Sequence, residues 1–209
     1  MATTQRSGGA PGAAPTARRQ AIEAALLEAT EALLEEGFTF SDLGVERIAR
    51  RAGISRTAFY FYFADKRELL IRLTEDVNAL ILEQANLWWE SEGAPADRVR
   101  QALLSSLAIH REHAMLLRAV AEASTYDEEV AEHRRRLVSR IAEVTERHVI
   151  EENAAGRTRC ADPRATALAL TWMTDSAFLQ LEAGSGGPAE QQLIDALAAI
   201  WARSIYLSD

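Results

Sequence analysis

The sequence has a single cysteine, Cys160. It can close no intrachain disulfide and supply no cysteine metal cluster, so a reducing cytoplasm is the expected compartment. No stretch approaches the ~20 consecutive apolar residues of a membrane-spanning helix. The opening MATTQRSGGAPGAAPTARRQ has no apolar run like that of a secretion signal. Its Gly, Pro, Ala and Thr content predicts a flexible tail over residues 1–17. Strand-like alternation of useful length is missing, as is any repeat at a fixed period. The segment GSGGP (184–188) joins two helical patterns and lacks the Lys-Ser/Thr ending of a phosphate loop. No Gly-x-Ser-x-Gly elbow exists. Familiar catalytic motifs are therefore absent, no cofactor is implied, and a catalytic bundle using a buried acid or histidine is the weakest hypothesis.

What is present is helical periodicity in a chain of 209 residues, 48% hydrophobic and 26% charged, long enough to bury a sizeable core. Ile22, Leu26, Ala29 and Leu33 recur at helical spacing, with Gly37 as a stop. VERIARRAG follows, with Val45, Ile48 and Ala49 on one side and Gly53 as a break. SRTAFYFYF resumes with Ser55 as N-cap. Asp65 with Glu68 three positions on opens a long helix, whose face is traced by Leu69, Leu73, Val77, Leu80, Gln84 and Trp88. Further periods span about 96–111, 114–124, 128–152, 163–183 and 189–207. The expectation is an all-α chain of nine helices. Residues 18–64 are expected to form a three-helix domain and residues 65–209 a larger bundle.

Aromatics are scarce too: 6 Phe, 4 Tyr and 4 Trp. Yet Phe59 to Phe63 are consecutive, flanked by Arg56 and Lys66. Net charge is −8, which taken alone argues against a nucleic-acid partner. Its distribution points the other way. Arg47, Arg50, Arg51, Arg56, Lys66 and Arg67 face one acid, Asp65, between positions 47 and 67, a net +5 that leaves −13 elsewhere. A cationic island on an acidic body is the footprint of a phosphate binder, or else a solvated helix face.

The aromatic run favours the footprint. At about 100° per residue, Phe59 and Phe63 share a side with Ser55, Ala58 and Tyr62. Arg56, Thr57, Tyr60 and Phe61 share the other. Inner rings would anchor a short helix after the Gly53 turn. The outer set suits a DNA major groove, where Arg reads guanine and an apolar group packs on a thymine methyl. Tyrosine hydroxyls and a lysine ammonium would hold phosphates.

Ile48-Ala49, Gly53-Ile54-Ser55, Tyr60, Tyr62, Phe63 and Lys66 match, at the right spacing, the DNA-binding region of TetR-family transcriptional regulators, which the chain resembles from about Gln20 to Leu73. GISRTAFYFYF and the ending IWARSIY are most similar to the ethionamide-resistance subgroup. The resemblance implies a homodimeric repressor released by a small apolar effector. It assigns Arg47, Ser55, Arg56, Thr57, Tyr60, Phe61, Tyr62 and Lys66 to double-stranded operator DNA. Of these, Arg56, Thr57 and Phe61 would face base edges, while Tyr60, Tyr62 and Lys66 contact phosphate or brace the helix. Gly44, Ala58 and Phe61 depart from the family's usual Ser/Thr, Thr and Tyr, and two hydroxyl contacts are thereby lost.

The last two helices would pair with a partner's copies through Leu193, Leu197, Ile200 and Ser204, and through Ala165, Ala169, Met173 and Ala177. Ordinary intrachain core explains such stripes as well. Effector-pocket candidates are Leu103, Leu107, Leu116, Val144, Thr145, Trp172, Met173, Phe178 and Trp201, with Leu104, Trp88, Trp89 and Tyr126 as further possibilities. Such a pocket would be mostly aliphatic with a tryptophan end. HREH sets His110 and His113 close enough to share a metal, but a zinc site needs more protein ligands. Two solvated or capping histidines are expected there. A helical small-molecule binder without specific DNA binding, and an activator in place of a repressor, stay open at this point.

Overall fold

A computed structural model describes residues 14–87, 93–182 and 189–206. Among them there are nine helices and no strand: α1 (Ala14–Glu35), α2 (Val45–Arg51), α3 (Arg56–Phe59), α4 (Lys66–Leu87), α5 (Pro95–Glu112), α6 (Ala114–Ala123), α7 (Glu128–Ala154), α8 (Pro163–Glu182) and α9 (Glu190–Ile205). The tail expected over 1–17 lies outside the described residues as far as residue 13, and α1 already begins at Ala14. Trp88, Trp89 and GSGGP also lie outside them. The chain divides into two compact units, residues 1–69 and 70–209, with the division inside α4.

In the first unit, α1 stops where expected. Gly37 takes φ 92°, and the amide of Phe38 reaches back to the Leu33 carbonyl at 3.2 Å, a left-handed closure that a side chain would strain. Gly44 caps α2 in extended conformation without a side-chain bond. Gly53, at φ 73°, turns the chain, and the Ile54 amide closes the turn on the Ala49 carbonyl at 2.9 Å. Ser55 Oγ then accepts the Ala58 amide at 3.1 Å. The regular part of α3 is shorter than the 55–63 rod expected, because the amides of Phe61 and Tyr62 bond three residues back, to Ala58 and Phe59. The tighter winding still buries both anchors: Phe59 is 0% and Phe63 5% exposed. They pack in a core with Leu26, Leu34, Leu43, Ile48 and Leu69. Asp65 Oδ1 accepts the Glu68 amide at 2.9 Å and Glu68 Oε2 accepts the Ala64 amide at 2.5 Å, which starts α4.

The second unit holds the rest of α4 and α5 to α9. Its most extensive packing is α7 on α8 and α5 on α9. Val99, Leu103, Val149, Phe178, Ile194 and Trp201 are at its core. The buried stripe of α4 runs Leu73, Val77, Ile81. It follows the four-residue step after Val77, so Leu80, which the sequence put on that face, is exposed.

Candidate nucleic-acid interface and ligand cavity

The first unit presents the predicted outer set together. Arg56, Thr57, Tyr60 and Phe61 are exposed, Phe61 to 73%. Two elements fix them. Ser55 caps the helix from below, and Phe59 meets Tyr60 edge-on at 5.5 Å and Phe63 at 5.9 Å between ring centres. Ser55 serves as the cap and is exposed beside the others. Tyr62 is half-buried, with the Arg19 guanidinium 5.6 Å from its ring centre. Arg47 lies over Phe38 at 4.3 Å.

Lys66 turns to the α1–α2 connection. Its Nζ donates to the carbonyls of Phe40 at 2.8 Å and Ser41 at 3.2 Å. Arg51 pairs with Glu36, and Arg67 with Asp65, each at 2.7 Å. Arg50 and Arg56 have no ion-pair partner among the described residues. The cationic island is thus part brace and part open charge. Arg19 escaped the sequence reading. It donates to the Phe61 carbonyl at 3.4 Å across 42 positions, a separation no local pattern reveals.

The second unit encloses a cavity of about 110 Å³. Thr74, Asn78 and Ile81 of α4, Ser106 and His110 of α5, His133, Arg134 and Ile141 of α7, Thr171, Thr174 and Asp175 of α8 and Trp201 of α9 are on its wall. Of the predicted pocket residues, Leu103, Thr145, Phe178 and Trp201 line it. Leu107, Leu116 and Val144 are buried but off the wall, while Trp172 and Met173 are half-buried and also off it. Val144 and Thr145 differ by one 100° step, which decides which of them faces the space. Tyr126 is exposed. The wall is mostly apolar, as expected, but with a few polar side chains set into it.

His133 Nε2 lies 2.9 Å from Thr74 Oγ1 and 3.0 Å from Asn78 Nδ2. Burial, then Arg136, lowers its pKa, while Glu75 opposes. His110 is not solvated, as the sequence suggested, but 7% exposed. Its Nδ1 donates to the Ser106 carbonyl at 2.9 Å. Burial is the main cause that lowers its pKa. Arg134 pairs with Asp175 and lies over the Trp172 ring at 5.2 Å. His113 closes α5 and opens α6 as their shared cap. Among the described residues no group of three His, Cys, Asp or Glu side chains is arranged to hold a metal. The missed wall residues had one signal: polar side chains such as His133 and Asp175 inside otherwise apolar helical periods.

A short exposed helix after a glycine turn in one unit, and a helical bundle with a cavity in the other, define the class of helix-turn-helix transcriptional regulators. Residues 26–73 match the pattern of bacterial regulatory proteins of the tetR family, and residues 99–207 match the C-terminal domain of the transcriptional regulator EthR. The chain is 31% identical over 194 residues to the HTH-type transcriptional regulator EthR of Mycobacterium tuberculosis (strain CDC 1551 / Oshkosh), covering 88% of this chain and 87% of that one. It belongs to the TetR family of transcriptional regulators, with an EthR-type C-terminal domain. Two solved structures share the fold at lower identity. A transcriptional regulator from Saccharomonospora viridis in complex with choline has a TM-score of 0.69 at 15% identity, covering 92% of this chain and 100% of that one. FadR from Bacillus subtilis in complex with stearoyl-CoA has a TM-score of 0.69 at 14% identity, covering 87% and 98%. Among the described residues no helix is long and apolar enough to cross a membrane.

Proposed function

We propose that this regulator is a homodimeric repressor released from operator DNA by a small, largely apolar ligand. The observation that carries the reading is the division of residues 55–63: Phe59 and Phe63 are buried while Arg56, Thr57, Tyr60 and Phe61 share the open side. Arg56, Thr57 and Phe61 meet base edges, and Tyr60 and Arg50 meet phosphate. Arg47, Ser55, Tyr62 and Lys66 hold the reading surface in place through Phe38, the α3 cap, Arg19 and the Phe40–Ser41 carbonyls.

Dimerisation uses α8 and α9, where Ala165, Leu168, Ala169 and Ile200 are exposed. Two reading helices then enter successive major grooves roughly 34–36 Å apart. The cavity receives the effector, as solved fold neighbours hold choline and stearoyl-CoA. A ligand that favours the subunit shape with the wrong groove spacing lowers occupancy. Coupling of ~1–3 kcal/mol is enough.

The test is retention of the intergenic DNA beside the chain's own gene over a salt series, together with variants. Specific retention with a steep salt slope is expected. Arg56→Ala or Thr57→Ala changes base preference by ~1–3 kcal/mol at one position, whereas Tyr60→Phe weakens all sequences alike. Equal weak retention of any duplex overturns the reading and leaves a small-molecule binder. Loss of transcription on deletion of the gene makes it an activator.

A further inference from the structure

The cavity wall is mostly apolar, and several of the polar groups set into it present acceptors. Its threonine hydroxyls are turned to their own helices: Thr145 donates to the Ile141 carbonyl, Thr171 to Ala167 and Thr174 to Leu170. They offer the cavity lone pairs only. Thr174 already accepts the Trp201 indole N–H at 2.9 Å. Arg134, the strongest donor on the wall, is engaged by Asp175.

His110 completes the pattern. A carbonyl oxygen can only accept, so the Ser106 contact at 2.9 Å places the ring proton on Nδ1. Nε2 is then a bare lone pair. Among the described residues nothing is bonded to it. It is also not a fully enclosed orphan, since Arg98 Nε alone has that status among the described residues. His110 is 7% exposed and lines the cavity, so the surface it keeps is the cavity's. The edge of the imidazole rests on Phe178 at 5.0 Å, which holds the ring's direction. Burial lowers the imidazole's pKa, against the Ser106 carbonyl bond and then Asp175. An unpaired acceptor in an apolar core costs free energy until a donor arrives.

We infer that the effector is a compact apolar compound carrying a hydroxyl donor, and that His110 selects it by accepting that hydroxyl on Nε2. This rests on the ligand-controlled reading above. Free space of about 110 Å³ is of the order of the ~150 Å³ engineered cavity that holds benzene. An aromatic or short aliphatic alcohol fits both the volume and the acceptor. An ether of similar size lacks the donor.

The experiment is calorimetric titration of the full-length protein with phenol, benzene and anisole, for the wild type and His110→Leu. Phenol is expected to bind the wild type roughly five- to tenfold more tightly than benzene or anisole. His110→Leu keeps benzene binding and loses the preference. Because the variant removes a core side chain, the 15N resonance of the His110 Nε2 is followed in the wild type as well. It shifts on adding phenol and stays put with anisole. Equal affinity for phenol and anisole, or a preference that survives His110→Leu, overturns the inference. Operator retention is measured beside binding. Phenol bound through His110 without DNA release upholds hydroxyl selection by the cavity but overturns its effector role and ligand control. DNA release by donor-free ligands alone does the reverse.

Discussion

The ammonium of Lys66 is 2.8 Å from the carbonyl oxygen of Phe40 and 4.8 Å from the centre of the same residue's ring. One side chain at the start of α4 thus ties down the loop that leads into α2. The position is the one at which the family resemblance offered either a phosphate contact or a brace, and the geometry favours the brace. Lys66→Met removes a charge-assisted bond to the Phe40 and Ser41 carbonyls. At a half-buried site the expected loss is ~1–2 kcal/mol. Thermal unfolding reads it directly. Operator affinity falls for every sequence alike, while the slope of log affinity on log salt stays at the wild-type value. A phosphate contact would instead flatten that slope by about 0.9.

Gly44 opens α2 at φ −86° and ψ 148°, with no side-chain cap. That is the extended conformation in which serine caps best. A Cβ built there meets nothing within 4 Å. Gly44→Ser is therefore accommodated and adds a few tenths of a kcal/mol, as serine gains little over glycine at an N-cap. The hydroxyl also returns the group that the family pattern has at this position. Operator affinity is expected to rise severalfold, measured by retention at fixed salt. An unchanged affinity with raised stability would confine the hydroxyl to capping.

The elements were legible because their signals are local. Gly37, Gly53, Ser55 and the Asp65/Glu68 pair each settle a boundary within a few residues, and Phe59 and Phe63 declare the inner side by spacing alone. The cavity wall was far less legible. Leu107 and Val144 have the composition of pocket residues, yet rotation of one helical step takes them off the wall. His110 looked solvated because Arg111, Glu112 and His113 beside it are polar. Only the packing of Phe178 against its ring shows otherwise. The Arg19–Phe61 contact depends on tertiary geometry and leaves no trace in sequence.

Both cavity histidines titrate below the ordinary histidine value. Burial is the main cause for each; the Ser106 carbonyl bond and then Asp175 oppose it at His110, and Arg136 adds to it at His133 while Glu75 opposes. Thr74 and Asn78 face His133 as neutral partners. With the folded pKa lowered, the unfolded chain binds the proton first as pH falls. Stability is full above the ordinary pKa of about 6.5 and declines as pH drops through it toward the folded values. Urea midpoints between pH 7.5 and 5.5 should fall accordingly, before most carboxylates protonate. His133→Asn should reduce the decline. A midpoint that rises on acidification would reverse the sign of both shifts.

Leu168 on α8 and Ile200 on α9 are 39% and 44% exposed. Ala165 and Ala169 beside Leu168 are exposed too, and small enough for close helix approach. Leu197, which the sequence set on the same stripe, is buried inside the unit and serves the core. In the proposed dimer the surface is then carried by Ile200, Ala165 and Ala169 of the expected stripes, together with Leu168. A carboxylate at either position would be desolvated in a paired state and cost far more than the apolar contact it replaces. Leu168→Glu and Ile200→Glu are expected to give the monomer mass by sedimentation equilibrium. Operator affinity falls by about two orders of magnitude, because two linked half-site contacts become one. Ile150→Glu on α7, at 51% exposed, is the control: it keeps the dimer and the affinity. If all three variants sediment alike as dimers, pairing uses another face.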